Sequence, residues 1–228
     1  MPDRFATDAL PEDAVEGRTA AMAVTDALRR TILRGDAAAG EKLRQDAIAA
    51  RFGVSQTIVR EAFKQLANEG FLRAEPRRGV SVAPLTAREA EEMTQLRSLL
   101  EAQALRWAIP EMKESDFKLA GRILEQLDEA ATTDDIISLN AKFHETLYAP
   151  ARRERTFSMI STLRLNFERY LRFTWEETSH LARSQREHRG ILKCCRARAV
   201  EEACLRLQEH IVGTGSVLAE RLKRRESL

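Results

Sequence analysis

Imidazole is the side chain best suited to hold a first-row divalent metal at neutral pH, and this chain has four: His144, His180, His188 and His210. Asn140 and His144 are one turn apart, so a helix would present both on one face. The stretches around His188 and His210, 22 residues apart, also read as helices. Imidazoles from three helices meeting inside a bundle, beside an amide oxygen, would suit a divalent ion. Surface or hydrogen-bonded core histidines are as consistent with this spacing, which leaves both readings open. A three-histidine metal with an open position could activate water, as in a metal-dependent hydrolase built on His144, His188 and His210. Against that, these positions include no carboxylate or thiol set as a general base. Glu187, next to His188, projects about 100° away around a helix and reads as a cap. His180 fits no such set and is expected at the surface.

A second group of residues suits nucleic acid. From Ser55 the chain reads as a helix with Val59, Ala62, Phe63 and Leu66 on one buried stripe. Gln56, Thr57, Arg60 and Lys64 fall on the other face, and Ser55 supplies the N-cap. Arg can pair with guanine, Gln with adenine, and a hydroxyl with phosphate. Alone, the segment could be any amphipathic surface helix. Its neighbours say more: Gln45 to Phe52 forms a short helix with Ile48, Ala49 and Phe52 inward, and Gly53-Val54-Ser55 breaks the two apart as in a helix-turn-helix. Asn68-Glu69-Gly70 stops the second helix. Residues 71–74 and 80–83 then read as two short strands around a basic tip, Glu75-Pro76-Arg77-Arg78-Gly79, a β-hairpin wing.

The charge distribution agrees. Net charge is only +2, but residues 20–84 hold 11 Lys/Arg against 7 Asp/Glu, while residues 1–19 hold 2 against 5. Positive charge thus gathers where phosphates would be met. Residues 1–18, acidic and without period, are expected to be a disordered tail. Thr19 to Arg34 carries Val24, Leu28, Ile32 and Leu33 on one stripe and stops at Gly35, giving a first helix. The winged domain is therefore set at 19–83, and Ala83-Pro84-Leu85 is the linker.

Residues 84–228 read as helical throughout. Thr86-x-x-Glu89 is a capping box, followed by Met93, Leu96, Leu99, Leu100, Ala104 and Trp107 as an apolar stripe up to Pro110. Further helices are expected from Ser115, from Thr133, from Thr156 to about Trp175, from a second capping box Ser184-x-x-Glu187 through Cys195, and from Ala199 to Arg224. That makes about six helices packed as a bundle. The fold class is mainly α, with one small β-wing. Cys194, Cys195 and Cys204 lack a paired spacing and read as free, packing thiols, with a redox sensor as the rival reading. No apolar run approaches the roughly 20 residues of a membrane span, and no secretory signal is evident, so a cytoplasmic protein without membrane contact is expected.

Two resemblances sharpen this. Residues 40–46, Arg51-Phe52-Gly53-Val54-Ser55, Val59-Arg60-Glu61-Ala62 and Pro76-Arg77-Arg78-Gly79 resemble the GntR family of bacterial transcription regulators, without gaps from about Ala20 to Leu85. The resemblance implies that Ser55, Gln56, Thr57 and Arg60 face the major groove and that the Arg77-Arg78-Gly79 tip enters the minor groove, with Arg44 in the same DNA-binding set. Many members carry Arg where this chain has Gln56 and Asp46, so its operator is its own. Arg97 to Glu101, Asn140-x-x-Phe143-His144, Glu187-His188-x-x-Ile191-Leu192 and Ala203 to Ile211 resemble the FCD effector domain of the FadR subfamily. That implies a metal held by His144, His188 and His210 with Asn140 at the usual acidic position, zinc first, then nickel or manganese. It also implies that Arg97 faces the same cavity; read from the residues alone, Arg97 could as well form a surface ion pair with Glu101 at i+4. The expectation is a homodimer on an inverted-repeat double-stranded DNA operator, responding to a small organic acid. A purely structural metal, leaving a DNA-binding protein without a switch, is the third reading.

Overall fold

The structure, a computed structural model, describes residues 17–75, 79–84, 86–174 and 178–226, with side chains described except at 17–19, 75, 170–174, 178–180 and 225–226. The tail, the Arg77 and Arg78 tip and the His180 side chain lie outside the described residues. The chain divides into two compact units after Leu85.

The first unit is three helices and a small sheet: α1 (Gly17–Leu33), β1 (Lys42–Leu43), α2 (Gln45–Phe52), α3 (Gln56–Asn68), β2 (Leu72–Glu75) and β3 (Gly79–Val82). The sheet is antiparallel with order β1-β3-β2, and Leu72 faces Val82 while Glu75 faces Gly79 across the wing. The third strand, β1, was not expected. At two residues it shows no alternation, and it exists because β3 offers it an edge, with Gly40 N donating to Val82 O (2.9 Å) and Val82 N to Glu41 O (2.9 Å). The α2–α3 turn works through Gly53, whose φ of 64° lies in the left-handed region that favours glycine. Val24, Leu28 and Ile32 of α1, Ile48 and Ala49 of α2, and Val59, Phe63 and Leu66 of α3 are all buried, with α3 packed against both other helices. Phe52 is only half-buried, because it ends α2 and lies beneath the Arg51 guanidinium, 5.8 Å away. A bidentate pair, Arg29 Nε to Glu69 Oε2 (2.9 Å) and Nη2 to Glu69 Oε1 (2.9 Å), ties α1 to the end of α3 and so fixes the angle at which α3 is presented.

The second unit is a bundle of α4 (Ala87–Ala108), α5 (Glu114–Glu129), α6 (Thr133–Tyr148), α7 (Glu154–Thr174), α8 (Thr178–Arg196) and α9 (Val200–Glu226). Short 3-10 turns at Ile109–Glu111 and Ala149–Ala151 carry the two prolines that end α4 and α6. The Thr86 hydroxyl caps α4, accepting from Glu89 N (3.2 Å) and donating to Glu89 Oε2 (3.2 Å). Leu105, Ile109, Ile123, Phe143, Leu147, Ile191, Leu207 and Ile211 form the core. Among the described residues no helix is long and apolar enough to cross a membrane.

Two expectations fail here. The apolar stripe of α4 does not face the core: Leu96, Leu99 and Trp107 are exposed (42%, 65% and 38%), and of that set only Ala104 is fully buried. Thr94, Arg97, Ser98 and Glu101 point inward instead, because they serve a polar interior. Nor does Ser184 cap a helix. α8 already runs from Thr178, so Ser184 is buried within it and Glu187 is free to reach elsewhere.

α4 and α9 pack along much of their length. They come closest at Gly215, where a Cβ would overlap the side chain of Thr94, itself held by its hydroxyl donating to Ala90 O (2.7 Å). At Gly213 the nearest neighbour of such a Cβ is the far end of Arg183, 3.3 Å away, which can swing aside. Gly215→Ala should therefore destabilise by about 1–2 kcal/mol, overpacking outweighing its helix-propensity gain. Gly213→Ala should be neutral or stabilising by up to about 1 kcal/mol. Urea denaturation of the two variants gives the comparison.

Candidate functional site

On the first unit, α3 starts at Ser55, whose Oγ accepts from Ile58 N (3.4 Å). Val59, Ala62, Phe63 and Leu66 are buried, which forces Gln56, Thr57, Arg60 and Lys64 into solvent on the other face. That row of donors is therefore available to a groove. Arg44 precedes α2 and is exposed, but its guanidinium is held by Asp46, Nη2 to Oδ2 at 2.6 Å and Nε to Oδ1 at 3.1 Å. The pairing lowers the Asp46 pKa and raises that of Arg44, so a phosphate must compete with Asp46 for it. Gly79 opens β3, next to the wing tip.

On the second unit, α6, α8 and α9 bring His144, His188 and His210 together. All three are buried, and each offers a ring nitrogen within 4.8 Å of the other two. Phe143 walls the cluster, its ring 4.7 Å from that of His188. Each Nδ1 has its own partner. His210 Nδ1 meets Glu187 Oε2 at 2.8 Å. His188 Nδ1 meets Gln185 Oε1 at 3.2 Å, and the Gln185 amide is oriented by donating to Leu124 O (3.3 Å) and Asp128 Oδ1 (2.7 Å). His144 Nδ1 meets the Tyr148 hydroxyl at 3.1 Å, and that hydroxyl donates its one proton to Glu101 Oε2 (2.7 Å).

Every one of these partners accepts, so each ring donates through Nδ1 and leaves its Nε2 for a neighbour or a ligand. His188 Nε2 and His210 Nε2 stand 3.2 Å apart, close enough to share a proton or to bind one cation together. A tetrahedral zinc site with bonds of ~2.0–2.1 Å spaces its nitrogens by ~3.4 Å, so this edge is already near that spacing. Burial, reinforced by the Arg164 charge, pushes His144 well below its usual pKa. Burial together with His210 does the same for His188, so both rings are neutral as metal ligands must be. Donor set, tautomers and spacing all fit a divalent ion.

Around the cluster lie residues that sequence reasoning misread or missed. Glu187, read as a cap, orients His210. Burial raises its pKa, but the hydrogen bonds from His210 and Arg183 (2.7 Å) outweigh that and hold it below the usual carboxylate range. Arg97 does pair with Glu101, Nε to Oε1 at 2.7 Å, but in the interior, with 8% and 0% of the side chains exposed. Burial alone would raise the Glu101 pKa; Arg97, Arg164 and Tyr148 more than reverse it. The i,i+4 spacing identified this pair and could not say that it was buried. Arg164 of α7, not singled out in the sequence, donates from Nη2 to the backbone oxygen of Asn140 (3.3 Å). Arg97, Asn140, Arg164 and Phe167 line one cavity of about 150 Å³. The cysteines are free: burial pushes Cys195 up to about 12, and Cys204 donates to Ala102 O (3.3 Å), as packing thiols should.

Comparison with known proteins adds to this geometry. Residues 20–82 match the model of the bacterial regulatory proteins, gntR family, and residues 92–213 match that of the FCD domain. The chain is 30% identical over 202 residues to the HTH-type transcriptional regulator YdhC of Bacillus subtilis (strain 168), covering 86% of this chain and 88% of that protein. It is 29% identical to the HTH-type transcriptional repressor RspR of Escherichia coli (strain K12), covering 77% and 80%. A crystal structure of a GntR-family transcriptional regulator from Pseudomonas syringae pv. tomato str. DC3000 covers 97% of this chain, with 96% of its own length, 32% identity and a TM-score of 0.56.

The neutral, buried histidines have a consequence for stability. The unfolded chain takes protons on His144 and His188 near the ordinary value of 6.5, whereas the folded protein refuses them until well below it. Stability of chelator-treated protein should thus be full above about pH 7 and fall as pH drops through 6.5, before the carboxylates titrate. Thermal melts between pH 5 and 8 read this directly; a flat profile would show that the histidines are not buried neutral.

Proposed function

Since the chain belongs to the GntR family of bacterial regulatory proteins and carries an FCD domain, it is a DNA-binding transcriptional regulator, and we propose that it acts as a homodimer whose operator affinity is set by a small carboxylate. In this reading residues 19–83 bind DNA and residues 84–228 bind the effector and dimerise. The observation that carries it is the convergence of three buried histidines, of which His144 lies one helical turn from Asn140 on the wall of the Arg97 cavity, in a chain that also presents an exposed, Ser-capped recognition helix. The relatives are regulators rather than enzymes, and Glu187 is engaged with His210 and Arg183 instead of being free as a base. Repression is the favoured outcome, as in the name of the relative RspR.

On the DNA side, Arg60 with Ser55, Gln56 and Thr57 would read the major groove, and the Arg77-Arg78-Gly79 tip the minor groove, with Arg44 a phosphate contact that must first leave Asp46. A single such helix reads only a few base pairs, so two-fold pairing on an inverted repeat supplies the specificity. The outward apolar stripe of α4, Leu96, Leu99 and Trp107, supports a second copy as the partner that covers it. Operator selection followed by titration should give two chains per inverted repeat. Arg60→Ala should cost about 1–3 kcal/mol and relax the sequence preference, and addition of small organic acids should weaken operator binding roughly 5–150-fold. Parent-like binding by Arg60→Ala would sink the assignment of the recognition face. Acids that bind without moving DNA affinity would reduce the second domain to a receptor without coupling.

For the metal, His144, His188 and His210 would hold one divalent ion per chain, zinc before nickel or manganese, with the Asn140 side-chain oxygen completing the set. Bound there, the ion would supply positive charge for a carboxylate. His188→Ala should abolish stoichiometric metal and Glu187→Gln should weaken it about 10–100-fold, since Glu187 orients a ligand. Asn140→Asp should tighten it by restoring a charge. Competition titration with a metal-sensitive dye measures all three, and no uptake of zinc, nickel or manganese by the parent would end the proposal.

A further inference from the structure

The cavity on the α4–α7 seam is lined by two guanidinium groups, one of which keeps a buried nitrogen without an acceptor. Arg97 and Arg164 both line it, while Glu101, the buried carboxylate behind Arg97, is a single charge already engaged by Arg97 Nε and the Tyr148 hydroxyl. Arg164 spends Nη2 on the Asn140 backbone oxygen, and its Nη1 is buried with no hydrogen-bond partner. A buried guanidinium nitrogen left unpaired is costly, so the site as folded is short of an acceptor. Arg97 commits only Nε, and Phe167, one turn beyond Arg164, lies 4.6 Å beneath its guanidinium, which puts the two cations on neighbouring turns of one seam. Glu145 and Glu168 are also on the wall. Glu145 is exposed, however, and Glu168 has an interaction of its own, so neither answers the Nη1 of Arg164. At about 150 Å³ the cavity is below the ~300–1,000 Å³ of sites for drug-sized ligands, which restricts the occupant to a few carbon atoms.

We infer that this cavity takes a short-chain dicarboxylate, one carboxylate on the terminal amino groups of Arg97 and the other on Nη1 of Arg164. The inference rests on the reading of the cavity as the effector site and adds that Arg164 selects for a second acidic group.

Isothermal titration of the full-length protein with chain-matched pairs, succinate against butyrate and glutarate against pentanoate, tests it. Each dicarboxylate should bind about 10-fold or more tightly than its partner, as expected when a buried donor gains or lacks its acceptor. Arg164→Gln should erase that preference while moving butyrate affinity by less than about 3-fold. Arg164→Lys, which keeps the charge without the fork, should retain part of it and serves if the Gln variant fails to fold. Equal binding within each pair, or a preference that survives both substitutions, overturns the inference. If the monocarboxylates then still release DNA, the effector reading stands without it. If no acid of either kind binds, both fall together.

Discussion

Glu101 has no contact with water, and a buried carboxylate must be answered from within the protein. Arg97 and Tyr148 answer it, and each links it to a different part of the second domain. Through Tyr148 the charge reaches His144 and decides which nitrogen of that ring carries the proton. Through Arg97 it reaches the cavity shared with Asn140 and Arg164. Removing one member of such a group leaves an uncompensated buried charge, at a cost on the order of 3–5 kcal/mol. The histidine cluster and the cavity are thus two ends of one hydrogen-bonded chain.

The same constraint explains why α4 is turned inside out. A helix carrying both an apolar stripe and a stripe with Thr94, Arg97, Ser98 and Glu101 would ordinarily bury the first and wet the second. Here the bundle needs the charged groups inside, so Leu96, Leu99 and Trp107 are left outside. Small residues make the arrangement tolerable: Ala90, Ala102, Ala104 and Ala108 lie inward among the polar groups, and Gly215 lets α9 come close against Thr94. Polar interior, close helix approach and exposed apolar face are one solution to one packing problem.

The first domain follows simpler rules. Its recognition helix is exposed because its other face is fully used, and it is held at a fixed angle by the Arg29–Glu69 fork and the left-handed Gly53. Asp46 is one of two places, with Gln56, where the chain departs from its resemblance. It lies beside Arg44 and holds the guanidinium, so any phosphate brought there would have to displace it.

The sequence by itself determined what depends on local rules. Caps, stop signals and a 3.6-residue period placed α3, its N-cap Ser55 and its buried stripe, the Thr86 capping box, and helix ends at Pro110 and Pro150. Spacing left the histidines open, and the resemblance to the FCD domain named the three that do come together. Tertiary structure decided everything that depends on which face a neighbour covers. Periodicity finds a stripe but not its direction, so α4 was read the wrong way round. A Ser-x-x-Glu pattern looks the same at a helix start or within a helix, so Glu187 was read as a cap and not as the carboxylate that orients His210. An i,i+4 ion pair looks the same wet or dry, and only the packing of α6, α7 and α9 around α4 made Arg97 and Glu101 interior. Arg164 carried no local signal at all. Its meaning comes from an unpaired nitrogen in a cavity, which exists only once the helices are assembled.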